Sequence, residues 1–174
     1  MQGNVVSVQQ GNFPVWKTVK RGVVPKTVEE LVGVINDRPQ MMVSDWAKCI
    51  LRGLDLTSSV ESVDEIGVVR LSPLDLGFKG RVTYEGVCDR AEELGLGFCP
   101  NLTAPWLRLE YFDQPRGEKL VVPLMRPVIC DRNFSVFELQ HDPCNDQLCL
   151  YGLNTSLRDF HYREEHNFLF LVGN

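Results

Sequence analysis

The sequence predicts an α+β fold, with two or three helices packed on a mostly antiparallel sheet whose C-terminal strands form a meander or a partly closed barrel. Three observations predict it. Apolar residues at helical spacing, each set preceded by a capping residue, are found before Gly95. After Gly95 the pattern changes to period two, in the runs WLRLEY, KLVVPLM, FSVFELQ, QLCLYGL and HNFLFLV. The segments between these runs, FDQPRGE, RPVICDRN, HDPCND and NTSLRDFHYREE, are rich in turn residues, and the shorter ones favour antiparallel neighbours.

Taken in order, residues 1–14 read as a polar tail and residues 15–174 as a single α+β domain. FPVWKTVKRG is a short strand with Val15 and Trp16 as its bulky members and Gly22 at its end. A helix follows, because Thr27 and Glu30 form a capping-box pair and Val28, Leu31, Val32 and Ile35 then gather on one face. Asn36 to Pro39 stop it. Ser44 caps a second helix, in which Trp46, Ala47, Ile50 and Leu51 share a stripe and Gly53 ends the run, so the two helices are expected to pack as a hairpin. GLDLTSSVESVD, residues 53–64, is the one linker-like stretch. EIGVVRL is a strand, and SPLDLGFKG a capped turn leading into a loop. Between Thr83 and Leu94, Tyr84, Val87, Cys88, Ala91 and Leu94 line one side of a helix that Gly95 terminates at positive φ.

Strand geometry then directs Leu107, Leu109 and Tyr111 to one face and Trp106, Arg108 and Glu110 to the other. Asp113 to Glu118 forms a hairpin loop in which Asp113 accepts backbone N–H groups, Gly117 takes positive φ, and Arg116 and Glu118 make a solvated pair. Trp106, Arg108 and Glu110 are the candidate ligand-binding residues, since an indole and two opposite charges on one face can line a concave patch.

Composition narrows the function further. A net charge of −5 over 174 residues repels a polyphosphate backbone and disfavours nucleic acid as a partner. No apolar run reaches the length of a membrane span and no export signal opens the chain, so a cytoplasmic protein with no membrane partner is expected. In that setting Cys49, Cys88, Cys99, Cys130, Cys144 and Cys149 are expected to be free thiols, with no metal and no cofactor. HYREEH sets His161 and His166 five apart, one residue off the spacing of a zinc protease helix. His141, Cys144 and Cys149 lack the paired knuckle of a zinc site. Cys99 precedes Pro100 after a glycine-bearing helix exit and is a candidate nucleophile only if exposed and beside a base. WKTVKR is a basic strand edge that discourages sheet-to-sheet pairing.

The runs VWKTVKRG, SDWAKCIL, LSPLDLGFKGRVTYEGVCDRAEELGL and LGLGFCPNLTAPWLRLEYFDQPRGE together resemble a family of uncharacterised bacterial proteins. Its members share a W-K-T-V start, a helix of the form A-x-E-L-G-L, then C-P, L-R-L-x-Y, D-Q-P-x-G-E and an apolar strand. The likeness covers Trp16 to Pro127, with a weaker tail to Val172; Glu110 stands where an amide is usual. The resemblance implies one intact domain and supplies no catalytic residues. The function expected from the sequence is a non-enzymatic binding or interaction protein whose partner is a protein or a small molecule. The alternative is a small hydrolase or transferase with a site assembled from distant segments.

Overall fold

Cap chemistry places the helices of the first half. The computed structural model describes residues 13–20, 25, 27–54, 56, 65–125, 128–156 and 161–172. The tail up to residue 12, Gly22 and most of the linker-like stretch, residues 55 and 57–64, lie outside them. Strand β1 (Lys17–Lys20) precedes helix α1 (Val28–Asn36), whose N-cap Thr27 hydroxyl accepts from the Glu30 N–H at 3.1 Å. Leu31 and Ile35 form its buried stripe. Strand β2 (Met41–Val43) comes next, so the expected helix hairpin has a strand in its connection. In helix α2 (Asp45–Arg52) the Ser44 hydroxyl accepts from the Ala47 N–H at 3.2 Å, and Ala47, Ile50 and Leu51 are buried. After strand β3 (Glu65–Leu71), helix α3 (Tyr84–Glu93) starts at Thr83 and is followed by Gly95 at φ +78°.

The run WLRLEY departs from the sequence expectation. It belongs to helix α4 (Thr103–Glu110) and is not a strand. Thr103, Ala104, Pro105, Trp106, Leu107 and Arg108 are all buried, so the apolar stripe that identifies an amphipathic helix is missing from the sequence. Pro105 is tolerated because it lies in the first turn, where the backbone N–H has no helical partner.

Strands β4 (Lys119–Val122), β5 (Val128–Cys130), β6 (Asn133–Asp142), β7 (Gln147–Asn154) and β8 (Asn167–Leu171) complete the chain. The eight strands form one sheet in the order β1-β3-β8-β4-β6-β7-β2, with β5 pairing β6 off that path. All pairs are antiparallel except β4 with β8 and β2 with β7. β4, β6 and β7 make the expected meander, and β8 returns between β3 and β4, which joins the N-terminal strands to it. The sheet curls into a half-barrel. α4 contacts β1 near one edge and β6 and β7 toward the other, so it fills the open side of the curl. Fully buried Leu120, Val122, Phe137, Leu139, Leu150, Ile50 and Leu51 belong to one connected core.

Two further corrections concern the segment RPVICDRN. It contains β5, and only Asp131 and Arg132 form the turn, at φ +46° and +64° between the paired residues Cys130 and Asn133. Two consecutive positive φ values match the twist of a two-residue hairpin, a conformation usually signalled by Asn-Gly, which this chain lacks. Cys130 and Cys49 are joined by a disulfide across 81 residues, because α2 lies against β5. The expectation of free cysteines holds for Cys88, Cys99, Cys144 and Cys149 only. In the chain-entropy account a loop of this length is worth about 4 to 5 kcal/mol. Among the described residues no helix is long and apolar enough to cross a membrane.

Candidate functional site

Helical geometry separates the three residues that a strand would have aligned. Trp106 and Arg108 are buried, at 7% and 0% exposure, while Glu110 is exposed at the end of α4 and accepts from the Lys20 backbone N–H at 3.4 Å. Arg108 donates to the Gln114 side-chain oxygen at 2.5 Å and to the Tyr111 carbonyl. The Gln114 amide in turn donates to the Glu118 and Leu139 carbonyls at 3.3 and 3.2 Å, pinning the loop after α4 to β4 and β6. Burial lowers the Arg108 pKa to about 10, which leaves it charged at neutral pH. Among the described residues its Nε has no acceptor.

Residues 113–118 join a helix to a strand and are therefore not a hairpin loop. Gly117 does take positive φ, +80°, and its N–H donates to the His141 carbonyl at 2.8 Å. Asp113 is exposed, 4.0 Å from Lys17, and no bond from a backbone N–H to it occurs among the described residues. Arg116 and Glu118 do not pair with each other. Arg116 Nη2 is 2.6 Å from Asp146, whereas Glu118 receives Arg70 at 2.7 Å and the Tyr111 hydroxyl at 2.8 Å. Trp16 packs edge-on to Tyr111 at 5.1 Å, with the Arg70 guanidinium 5.0 Å from the Trp16 ring centroid and Lys17 5.0 Å from that of Tyr111. His141 Nδ1 lies 2.6 Å from the Gln114 carbonyl and Nε2 2.9 Å from Asp146, so the ring sits between two acceptors.

The tempting cysteines and histidines are placed apart. Cys99 is completely buried, donates its thiol to the Leu169 carbonyl at 3.5 Å, and has its pKa pushed up by burial, so the thiolate is disfavoured. Cys144 is exposed in the β6–β7 turn while Cys149 is buried in β7. His161 and His166 flank a turn that begins β8, where His166 Nδ1 accepts from the Arg163 N–H at 3.2 Å. Among the described residues no group of three or more His, Cys, Asp and Glu side chains could hold a metal.

What the fold does bring together is a cleft of about 560 Å³ lined by Leu74, Phe78, Lys79, Gly80, Arg81, Arg163, Glu164 and Glu165. An antiparallel bridge between Val82 and Tyr162, with N–O distances of 3.0 and 2.7 Å, draws the two loops side by side. Arg81 and Arg163, the residues next to the bridge on either side, therefore line the same cleft. Among the described residues neither they nor Lys79 make an ion pair, in contrast to Arg70, Arg90 and Arg116. No sequence signal linked these residues, because the bridge joins positions 80 residues apart in the chain, beyond any local periodicity. Comparison with family models, with curated proteins and with solved structures returns no match.

Proposed function

We propose that the protein is a non-enzymatic binding protein whose cleft between residues 74–81 and 163–165 takes a small molecule carrying an anionic group on an aromatic or apolar body. The observation that carries this reading is the set of cations that make no ion pair among the described residues, Lys79, Arg81 and Arg163, around a cleft whose apolar wall is Phe78 and Leu74. A volume of about 560 Å³ suits a small ligand. Planar guanidinium groups suit carboxylate or phosphate, and the ring of Phe78 suits the body. Glu164 and Glu165 on the same rim select for a ligand that also offers a hydrogen-bond donor.

The hydrolase or transferase alternative needs an activated nucleophile, and burial raises the pKa of both Cys99 and Cys149 and so works against one. We also read the chain as a member of the bacterial family it resembles. On that reading the shared residues Arg108, Tyr111, Gln114, Gly117 and Glu118 mark the fold, since each is engaged in holding the α4–β4 loop. The cytoplasmic address expected from the sequence stands against the Cys49–Cys130 bond, which a reducing compartment would open.

Calorimetric titration with phenyl phosphate and with benzoate tests the function. Saturable binding of either, weakened at least tenfold in the Arg81→Ala, Arg163→Ala double variant, is the expected result. No saturable binding of either probe, or unchanged binding by the double variant, overturns it.

A further inference from the structure

We propose a second site, on the face of β4, β6 and β7 that carries Glu138 and Tyr151, that binds an organic ammonium group at Glu138. The strand register builds it. Glu138 is paired with Tyr151 on β7 and with Val121 on β4, and Val121 with Phe168 on β8, so Tyr151, Glu138, Val121 and Phe168 form one row on one face. The next row on that face is Cys149, Gln140 and Lys119. Their neighbours in sequence, Leu120, Leu139 and Leu150, are fully buried on the opposite face. Tyr162 closes the far end of the first row, its ring edge-on to Phe168 at 4.9 Å.

Within this row Glu138 is only 9% exposed, and among the described residues it makes no hydrogen bond and no ion pair. It is not one of the fully enclosed polar groups, so its oxygens keep a path to solvent. Among the described residues the other buried polar side chain on the strands, Ser135, has a partner: its hydroxyl accepts from the Trp46 indole N–H at 3.2 Å. A carboxyl withdrawn from water without a donor is costly, and a ligand that brings a donor and a positive charge removes that cost. An ammonium group brings three donors and the charge, and the aromatic ring of Tyr151, the cross-strand partner of Glu138, favours a cation beside it. An anion would be repelled by Glu138, and a neutral apolar group would leave the carboxyl unpaired. Burial raises the Glu138 pKa, with Lys119 acting in the opposite direction from the adjacent row; a bound cation would restore the ionised form. Lys119 is exposed and more than 4.0 Å away, so it is a neighbour and not the occupant.

The test is titration of the full chain, labelled with ¹³C at the glutamate carboxyls, with benzylammonium chloride, with the blocked lysine N-acetyl-lysine methylamide, and with benzyl alcohol as the neutral control. One carboxyl resonance, identified by its absence in Glu138→Gln, is expected to shift saturably with an amine, and Glu138→Gln is expected to bind that amine at least tenfold more weakly. Which of the two amines binds tells a free amine from a lysine side chain. Lys119→Ala should bind equally or more tightly, because a like charge is gone. The proposal is overturned if neither amine shifts that resonance, if Glu138→Gln binds as tightly as the parent, if benzyl alcohol binds as well as benzylammonium, or if Lys119→Ala loses binding.

Discussion

The buried polar network under α4 and the charged cleft formed around the Val82–Tyr162 bridge use the same residue types in opposite ways. Under α4, Arg108, Gln114, Tyr111, Glu118 and Arg70 are linked hydrogen bond to hydrogen bond. At the cleft, Lys79, Arg81 and Arg163 have no ion-pair partner among the described residues. A charge whose bonding capacity is already used by the fold has little left for a ligand, and removing it costs stability. An unpaired charge in a cleft costs the fold little and is available to a ligand. The residues that look most chemical in the sequence belong to the first kind.

The largest effect that this contrast predicts is at Arg108. Arg108→Ala would empty a fully buried position and leave the Gln114 oxygen and the Tyr111 carbonyl without their donor. A void plus two orphaned acceptors is expected to destabilise by about 3 to 5 kcal/mol. Urea denaturation measures it. A loss below about 1 kcal/mol would mean that the network is not what holds α4 in the half-barrel, and the contrast would break.

Legibility followed locality. Thr27, Ser44, Thr83 and Gly95 act on bonds within their own turn, and each helix boundary they announce is where the structure has it. α4 was not legible because its period is hidden by burial on nearly all sides, although Pro105 in its first turn was a helix-start signal. β2 and β5, three residues each, exist through their register with β7 and β6 and carry no pattern of their own. The cleft and the Glu138 row depend on pairings between distant segments. One trace of the latter was present: Glu138 is a charge in the middle of the apolar run FSVFELQ.

The α4–β4 loop sharpens the contrast at intermediate scale. Gly117→Val places a β-branched residue at φ +80° on the N–H that bonds the His141 carbonyl. Nothing lies within 4 Å of the position a Cβ would take, so the cost is backbone strain and not a clash. The expected loss is about 1 to 3 kcal/mol, smaller than at Arg108. Thermal unfolding checks it, and a variant that melts with the parent would show that this turn has another low-energy conformation.

The smallest effect separates the network from its own rim. Arg116 and Asp146 are 62% and 40% exposed in their side chains, and Asp146 also faces His141, so this pair lies between the two regimes. The hydrogen bond from His141 first, and that from Arg116 second, holds the Asp146 carboxyl below its usual pKa. A depressed carboxylate pKa in the folded state contributes stability that is fully present above the unfolded value, about 4, and is lost as pH falls through the folded value. Asp146→Asn should therefore lower the melting temperature at pH 7, and the gap to the parent should close as the pH falls below about 4. Arg116→Ala should produce only part of that gap, because the His141 contact survives it and exposed pairs are screened by water. Melting curves of the three proteins from pH 7 down to about pH 2.5 make the comparison. If Arg116→Ala costs as much as Asp146→Asn, the outer pair and not the histidine anchors the β6–β7 turn; if neither differs from the parent at pH 7, the network ends at Gln114 and His141 is held by the loop alone.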